Sequence, residues 1–254
     1  MSTCNNCGAH GTIRSHLIPR AFCVEVQDGP THAAGVTNAH TFEKTQSGLI
    51  DRTILCHKCD GVLGDYENYA LKFFRKFREE TPRKVGELVP VPDADIPKLL
   101  RFCAGILYKY SLTTPEHGRI RLGAYQHALR EFLYNEQRGI PLGLGLFVLR
   151  PMRFDGDQGV WAYRAPKDDR QEGLNLYRMM MGGVILFVYL DKQIAQRKPE
   201  APNFVSADSS LFSIATVSAF DFEEYTKPQE LAFEEGKLSD YLDALEDKKL
   251  KTNQ

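Results

Sequence analysis

The sequence predicts an α+β fold, in which a small zinc-stapled N-terminal module is followed by a helical segment and an antiparallel-sheet region. The first observation is a pair of Cys-x-x-Cys motifs near the two ends of the first 60 residues. The second is an aromatic stripe at i, i+3, i+4 spacing within Tyr66–Glu80, which is typical of an amphipathic helix. The third is a series of short β-prone runs, separated by Gly- and Asp-rich turns, from Gly139 onward.

The cysteine motifs predict a structural zinc site. Cys4, Cys7, Cys56 and Cys59 supply four thiolates, which is the complete inner shell of a closed tetrahedral zinc. A turn-rich segment of this length is too small to fold without such a staple, and zinc binding can supply about 10 kcal/mol. The two other cysteines, Cys23 and Cys103, lie in apolar segments and are predicted to be small buried hydrophobic residues.

Composition and charge limit the classes of function. The chain has 254 residues and a formal net charge of −1, so a nucleic-acid-binding surface would have to be local. No apolar run reaches membrane-spanning length, and the N-terminus has no signal-peptide pattern, which favours a cytoplasmic protein without membrane contact. We predict two domains, residues 1–81 and residues 98–254, joined by the proline-rich segment Pro82–Pro97.

The remaining elements follow from local patterns. The N-terminal module is expected to be a hairpin around His16 followed by a helix that opens near Asp60 and runs to Glu80. The predicted later helices and strands are, in order, helices Lys98–Leu112 and Arg121–Gln137, strands Pro141–Met152, Val160–Arg164, Leu174–Met181, Val184–Leu190 and Ser210–Val217, and a C-terminal helix Lys237–Asp247.

His16 and Asp60 are the candidate catalytic residues. A neutral imidazole can take a proton from water near neutral pH, and a carboxylate is a suitable ligand for Mg²⁺ or Mn²⁺. Both residues also have a simpler interpretation, because His16 could be a hydrogen-bonded structural residue and Asp60 could cap a helix. The segment Ser15-His16-Leu17-Ile18-Pro19 lies between the two cysteine motifs, and Asp60 directly follows the last cysteine.

This arrangement resembles the zinc-stapled branch of the HNH, or His-Me finger (ββα-metal), endonucleases, over roughly residues 4–67. The resemblance implies that His16 is the general base, Pro19 the proline of the motif and Asp60 the metal ligand, with Asp51 at the middle position that orders the histidine loop. It further implies a hydrolase that cleaves nucleic acid, with DNA favoured over RNA, and an association with bacterial antiphage defence.

Four positions depart from the family pattern. Ser15 replaces the carboxylate that normally precedes the histidine, Asp51 and Asp60 replace amides, and Leu63 stands where lysine is common. Glu67 shares a helical face with Asp60 and is a candidate additional ligand. The departures leave open an altered but working metal site or a degenerate module that has lost cleavage.

The basic run after Asp60 is a candidate nucleic-acid contact surface or an ordinary solvated face. Its members are Lys72, Arg75, Lys76 and Arg78. We therefore predict a metal-dependent HNH-type endonuclease with nucleic acid as its partner, and a regulatory protein or a second copy of the chain stays open. The alternatives are an inactive zinc module that binds nucleic acid or a protein, and a C-terminal sheet region that senses a ligand.

Overall fold

The computed structural model describes residues 2–26, 32–35, 42–45, 48–80, 83–197, 199 and 201–234. Within these ranges the fold is α+β, with helices packed against a large sheet. The predicted C-terminal helix Lys237–Asp247 lies outside the described residues, as does much of the loop between residues 27 and 47.

The N-terminal region contains a very short hairpin followed by a long helix. Strand β1 (Ser15–His16) pairs antiparallel with β4 (Ile50–Asp51), with Ser15 opposite Asp51. The short helix α1 (Arg20–Val24) follows Pro19, and α2 (His57–Glu79) begins directly after Cys56. Just before α2, the Ile54 carbonyl accepts from the Asn5 N–H in the first Cys-x-x-Cys motif, and the Leu55 carbonyl accepts from the Ile13 N–H, each at 2.9 Å.

Three helices form one layer of the molecule: α2, α3 (Ile96–Leu112) and α4 (Tyr125–Tyr134). The start of α3 has a clear local cause, because the Asp95 side chain accepts a hydrogen bond from the Lys98 N–H at 3.0 Å and proline occupies the first turn. Helix α4 is shorter at both ends than the prediction, and Gly123, with φ of 56°, precedes its first turn.

The large sheet contains nine described strands: β2 His32–Gly35, β3 Phe42–Thr45, β5 Leu88–Pro90, β6 Leu144–Met152, β7 Tyr163–Gln171, β8 Leu174–Met181, β9 Val184–Leu190, β10 Phe204–Val205 and β11 Ser213–Ser218. Their order is β3-β2-β7-β8-β9-β6-β11-β5, with β10 paired to β6. Strands β8 and β9 match the predicted bounds, and Gly182 and Gly183, both with positive φ, form the two-residue turn between them.

Two features of the sheet correct the sequence-based description. The sheet is mixed, because β11 runs parallel to β6 and β2 runs parallel to β7. The proline-rich segment after residue 82 is more than a linker, since it contributes strand β5, which pairs with β11 at the sheet edge. An edge strand tolerates proline because one side of its backbone needs no partner.

The core lies on both faces of the sheet. The β8–β9 side chains alternate between the two faces: Met179, Leu186 and Val188 pack toward the helices, whereas Ile185 and Phe187 pack on the opposite face. Strand β9 is therefore buried along its whole length, as its apolar sequence predicts. The helix-side cluster joins residues of the N-terminal region with residues of the sheet, so contacts cross the predicted domain boundary.

A last helix, α5 (Glu223–Glu234), was not predicted. It is tied to the sheet by a buried carboxylate, since Glu224 contacts Arg164 at 2.7 Å and also pairs with Arg178. No helix among the described residues is long and apolar enough to cross a membrane.

Candidate metal centre and candidate active site

The four predicted cysteines come together in one cluster. The sulfurs of Cys4, Cys7, Cys56 and Cys59 all lie within 4.8 Å of one another, and the Cys7 and Cys56 sulfurs are 3.7 Å apart. A tetrahedral zinc with Zn–S bonds of about 2.3 Å separates its sulfurs by about 3.8 Å. The four-cysteine cluster therefore has the ligand type, number and spacing to hold a metal ion such as zinc.

The surroundings of the cluster suit thiolate ligands. Burial raises the pKa of the Cys4 thiol, but hydrogen bonds from nearby backbone N–H groups outweigh it and lower that pKa to about 6. Burial raises the pKa of Cys59 to about 12, and the neighbouring cysteines add to the rise. Four crowded sulfurs cannot all be thiolates without a cation between them, which is the charge that a bound metal would supply. Cys23 and Cys103 are fully buried and lie outside the cluster.

Asn6, which lies between Cys4 and Cys7, connects the first Cys-x-x-Cys motif to the helical layer. The sequence analysis did not identify this residue. Its side-chain amide donates to the Cys59 sulfur at 3.1 Å, and its side-chain oxygen accepts from Arg130 Nε of α4 at 2.8 Å. Arg130 also donates to the Asn6 backbone carbonyl at 3.1 Å. Helix α4 therefore fixes the orientation of a group that contacts the metal ligands, as outer partners of metal sites commonly do.

Ser15 and Asp60 are brought together by the hairpin and the start of α2. Ser15 is fully buried, and its hydroxyl donates a short hydrogen bond to Asp60 Oδ1. Asp60 lies in the first turn of α2, where the backbone dipoles favour a negative charge, and its side chain is partly exposed. Asp60 is not the N-cap of α2, because Cys56 occupies that position.

His16 follows Ser15 in β1 and is half-buried, and its Nε2 atom is buried without a hydrogen-bond partner among the described residues. Burial is the main cause that lowers the pKa of His16, and the positive charges of Lys109 and Arg20 lower it further, while Asp60 opposes them. The imidazole is therefore neutral at neutral pH, and its buried Nε2 has a hydrogen-bonding position that no described residue fills.

Asp51 orders the hairpin loop. One of its carboxylate oxygens accepts from both the backbone N–H and the hydroxyl of Thr53, each at 2.7 Å. The other accepts from the Thr113 hydroxyl at 2.6 Å, at the C-terminal end of α3. Burial raises the pKa of Asp51, but these hydrogen bonds outweigh it and the pKa is lowered, so Asp51 is a charged anchor of the loop.

Glu67 forms an ion pair with Lys109, a residue that the sequence analysis did not identify as a candidate. Lys109 of α3 is 1 % exposed, and its ammonium lies 2.6 Å from Glu67 Oε1 and 2.6 Å from the backbone carbonyl oxygen of His16. Glu67 is therefore the counter-ion of a buried lysine that holds the His16 backbone in place. The only sequence signal for Lys109 was a lysine within the apolar pattern of a predicted helix.

The basic run on α2 divides into buried and exposed members. Arg78 is buried and donates to Glu25 at 2.8 Å and to the carbonyl of Gly182, so it is a structural residue rather than a nucleic-acid contact. Arg75 also pairs with Glu25, at 2.7 Å. Lys72 and Lys76 are exposed, but they lie about 120° and about 160° around the helix axis from Asp60.

These two lysines line a groove of about 390 Å³ with Tyr69, Phe73 and Phe77, on the side of α2 that faces away from Asp60. The structure thus separates them from the Ser15–Asp60 contact. Comparison with known proteins does not resolve the function: no family model, no curated protein and no solved structure matches the chain.

Proposed function

We propose that this protein is a metal-dependent endonuclease of the HNH type, which hydrolyses phosphodiester bonds in nucleic acid. The observations that support it best are the Ser15–Asp60 hydrogen bond at the start of α2 and, at the next residue of β1, a half-buried His16 whose Nε2 has no hydrogen-bond partner among the described residues. The strand–strand–helix order of β1, β4 and α2 next to a four-cysteine cluster is what the resemblance implies. DNA is favoured over RNA by that resemblance alone.

In this proposal His16 acts as the general base. Its lowered pKa keeps the imidazole neutral, so the ring can take a proton from a water molecule as the water oxygen attacks phosphorus. The new P–O bond forms while the bond from phosphorus to the departing sugar oxygen breaks. Lys109 and Asp51 contribute by position, since they hold the His16 carbonyl and the hairpin loop respectively.

Asp60 is the residue that would hold the catalytic cation. Mg²⁺ and Mn²⁺ are commonly bound in proteins through one or two carboxylates together with substrate phosphate oxygens and water. Asp60 meets that requirement with its partly exposed carboxylate, and the Ser15 hydroxyl orients it. A cation at this position would neutralise charge on the departing oxygen.

The alternative is an inactive zinc module that binds nucleic acid or a partner protein. One observation favours it: Glu67 is committed to Lys109 and Asp51 to Thr53 and Thr113. Asp60 is then the one carboxylate of the predicted set that is both partly exposed and without an ion pair among the described residues. A role in antiphage defence rests on the resemblance and is part of the proposal only in that sense.

A cleavage assay tests the proposal. Plasmid DNA and single-stranded RNA are incubated with the purified protein in Mg²⁺ or Mn²⁺, alongside His16→Ala and Asp60→Ala. We expect cleavage by the unmodified protein and a 10²–10⁴-fold loss, about the contribution of a general base, in His16→Ala at unchanged zinc content.

Ser15→Asp and His57→Ala complete the set of variants. Ser15→Asp restores the ligand type usual in the family and is expected to maintain or raise activity. His57 is exposed on the first turn of α2, and His57→Ala is the matched control for loss of an imidazole. Equal activity of His16→Ala and His57→Ala would refute the role of His16, whereas binding without cleavage by the unmodified protein would favour the inactive module.

A further inference from the structure

The cations that flank His16 differ from the basic run that the sequence singled out. Arg14 lies two residues before His16, and Arg20 is the first residue of α1, directly after Pro19. Both side chains are exposed, and neither has an ion pair or side-chain hydrogen bond within the part of the chain that the structure describes. Two exposed guanidinium groups, without a partner among the described residues, therefore flank the candidate base in the sequence.

Arg14 directly precedes β1 and Arg20 opens α1, so both arginines lie within a few residues of His16 along the chain. Arg14 is exposed and His16 half-buried, while Ser15 between them is fully buried against Asp60. The next two residues, Leu17 and Ile18, are buried, and Leu17 N–H donates to the Leu49 carbonyl at 3.0 Å. The segment that carries both arginines is thus anchored by apolar packing and backbone hydrogen bonds rather than by the arginines themselves.

The electrostatics agree with this placement. The charges of Arg20 and Arg14 both reach His16, since each lowers the pKa of that imidazole. A cationic surface of this kind destabilises a protonated histidine but attracts an anion to the same place. A guanidinium is also well suited to phosphate, because its planar N–H groups can form two parallel hydrogen bonds to phosphate oxygens.

We infer that Arg14 and Arg20 bind the phosphate groups on either side of the bond to be cleaved, so that the nucleic acid crosses the β1–β4 hairpin instead of following the basic run along α2. This inference rests on the proposed function and names its substrate-binding residues. Lys72 and Lys76, on the far side of α2, contribute nothing to this binding.

The test compares two double variants that each remove two exposed positive charges, Arg14→Gln/Arg20→Gln and Lys72→Gln/Lys76→Gln. Binding of a fluorescently labelled DNA duplex is measured by anisotropy in a chelator that leaves zinc bound, over a series of salt concentrations. Each phosphate contact contributes about 0.9 to the slope of log affinity against log salt concentration. We expect the arginine variant to lose about 2 from that slope and at least about tenfold in affinity, and the lysine variant to match the unmodified protein.

A second readout compares hydrolysis of a short DNA duplex and of bis(p-nitrophenyl) phosphate, both with Mn²⁺. The arginine variant should raise KM for the duplex and leave kcat nearly unchanged, because it loses binding to the flanking phosphates but keeps His16 and Asp60. Its KM for bis(p-nitrophenyl) phosphate, which has no flanking phosphates, should match that of the unmodified protein. Zinc content and the circular dichroism spectrum confirm that both variants are folded.

The outcomes separate this inference from the proposed function. A protein that binds DNA through the arginines but never cleaves would support the inference and refute the catalysis. A protein that cleaves, while the arginine variant keeps the unmodified affinity, salt slope and KM for the duplex, would refute the inference alone. Loss of binding in the lysine variant, or no binding of nucleic acid by the unmodified protein, would also overturn it.

Discussion

Replacement of Lys109 by methionine is the sharpest test of how the helical layer supports the candidate active site. The Lys109 ammonium is buried and forms two hydrogen bonds, each of 2.6 Å, to Glu67 Oε1 and to the His16 carbonyl oxygen. Methionine fills a similar volume but leaves both acceptors without a donor. The substitution therefore measures the ion pair and its hydrogen bonds with little loss of packing.

The magnitude follows from the environment of the two partners. Removing one member of a buried pair typically destabilises a protein by about 3–5 kcal/mol, because the remaining charge stays buried without compensation. The Glu67 side chain is 20 % exposed, so water can solvate it in part and the lower end of that range applies. We expect Lys109→Met to reduce the free energy of unfolding by about 3 kcal/mol.

The assay is urea denaturation of the zinc-loaded protein, followed by fluorescence and by amide hydrogen exchange at residues 15–18. Lys76→Met is the control, because Lys76 forms an exposed i, i+4 pair with Glu80 at 3.3 Å and its loss should change stability by less than about 0.5 kcal/mol. The double variant Glu67→Met/Lys109→Met should recover part of the loss, since neither buried charge then remains. If Lys109→Met is no more destabilising than Lys76→Met, the ion pair does not hold His16 in place and the reasoning is wrong.

Three further predictions address the metal centre, the backbone and the pH dependence. Cys56→Ser should lower the content of tightly bound zinc from about one ion per chain and unfold the N-terminal region. Elemental analysis measures the zinc content, and a variant that stays fully zinc-loaded would contradict a four-thiolate site. Gly143→Ala should lower the free energy of unfolding by about 3 kcal/mol, because the φ of Gly143 is 88° and an added Cβ would lie 2.6 Å from the Asp191 backbone oxygen. Gly156→Ala is the control: its φ is 77° but an added Cβ would meet no atom within 4 Å, so it should lower that free energy by only about 1 kcal/mol. Thermal unfolding measures both variants. Burial raises the pKa of Asp157, but hydrogen bonds from Arg153 and from two backbone N–H groups lower it to about 2, below its unfolded value of 3.8. The Asp157 carboxylate thus contributes its full stabilisation above pH 4 and loses it as the pH falls toward 2. Asp157→Asn should remove about 1 kcal/mol of this pH-dependent stability, after allowance for screening by water. An acid-unfolding profile identical to that of the unmodified protein would count against the Arg153–Asp157 pairing.

The elements that the sequence predicted well depend on local interactions. Helix α3 follows from its apolar periodicity and the Asp95 cap, and the β8–β9 hairpin follows from two β-prone runs joined by Gly182 and Gly183. Each signal is contained within a short stretch of chain, because helix caps and two-residue turns are formed by neighbouring residues. The four-cysteine cluster was predictable for a similar reason, since paired thiols at two-residue spacing are specific to metal binding in a reduced protein.

The errors occur where partners are distant in sequence. Strand β5 was assigned to a linker because prolines dominate its local signal, whereas its pairing depends on β11, more than a hundred residues later. Arg78 was grouped with a solvated basic run, and its burial depends on Glu25 and on a carbonyl in the β8–β9 turn. A local charge pattern carries no information about such contacts.

Local patterns in the sequence predicted the four cysteines that could hold a metal ion such as zinc, helix α3 and the β8–β9 hairpin. The packing of distant segments determines which side chains have partners at the candidate site: Glu67 pairs with Lys109, Asp51 accepts from two threonines, and Ser15 donates to Asp60. It also determines that Asn6 and Arg130 connect the cysteine cluster to α4. The physical reason is that backbone preference and ligand spacing are properties of neighbouring residues, whereas the burial of a charge and its counter-ion is settled only when distant segments pack together.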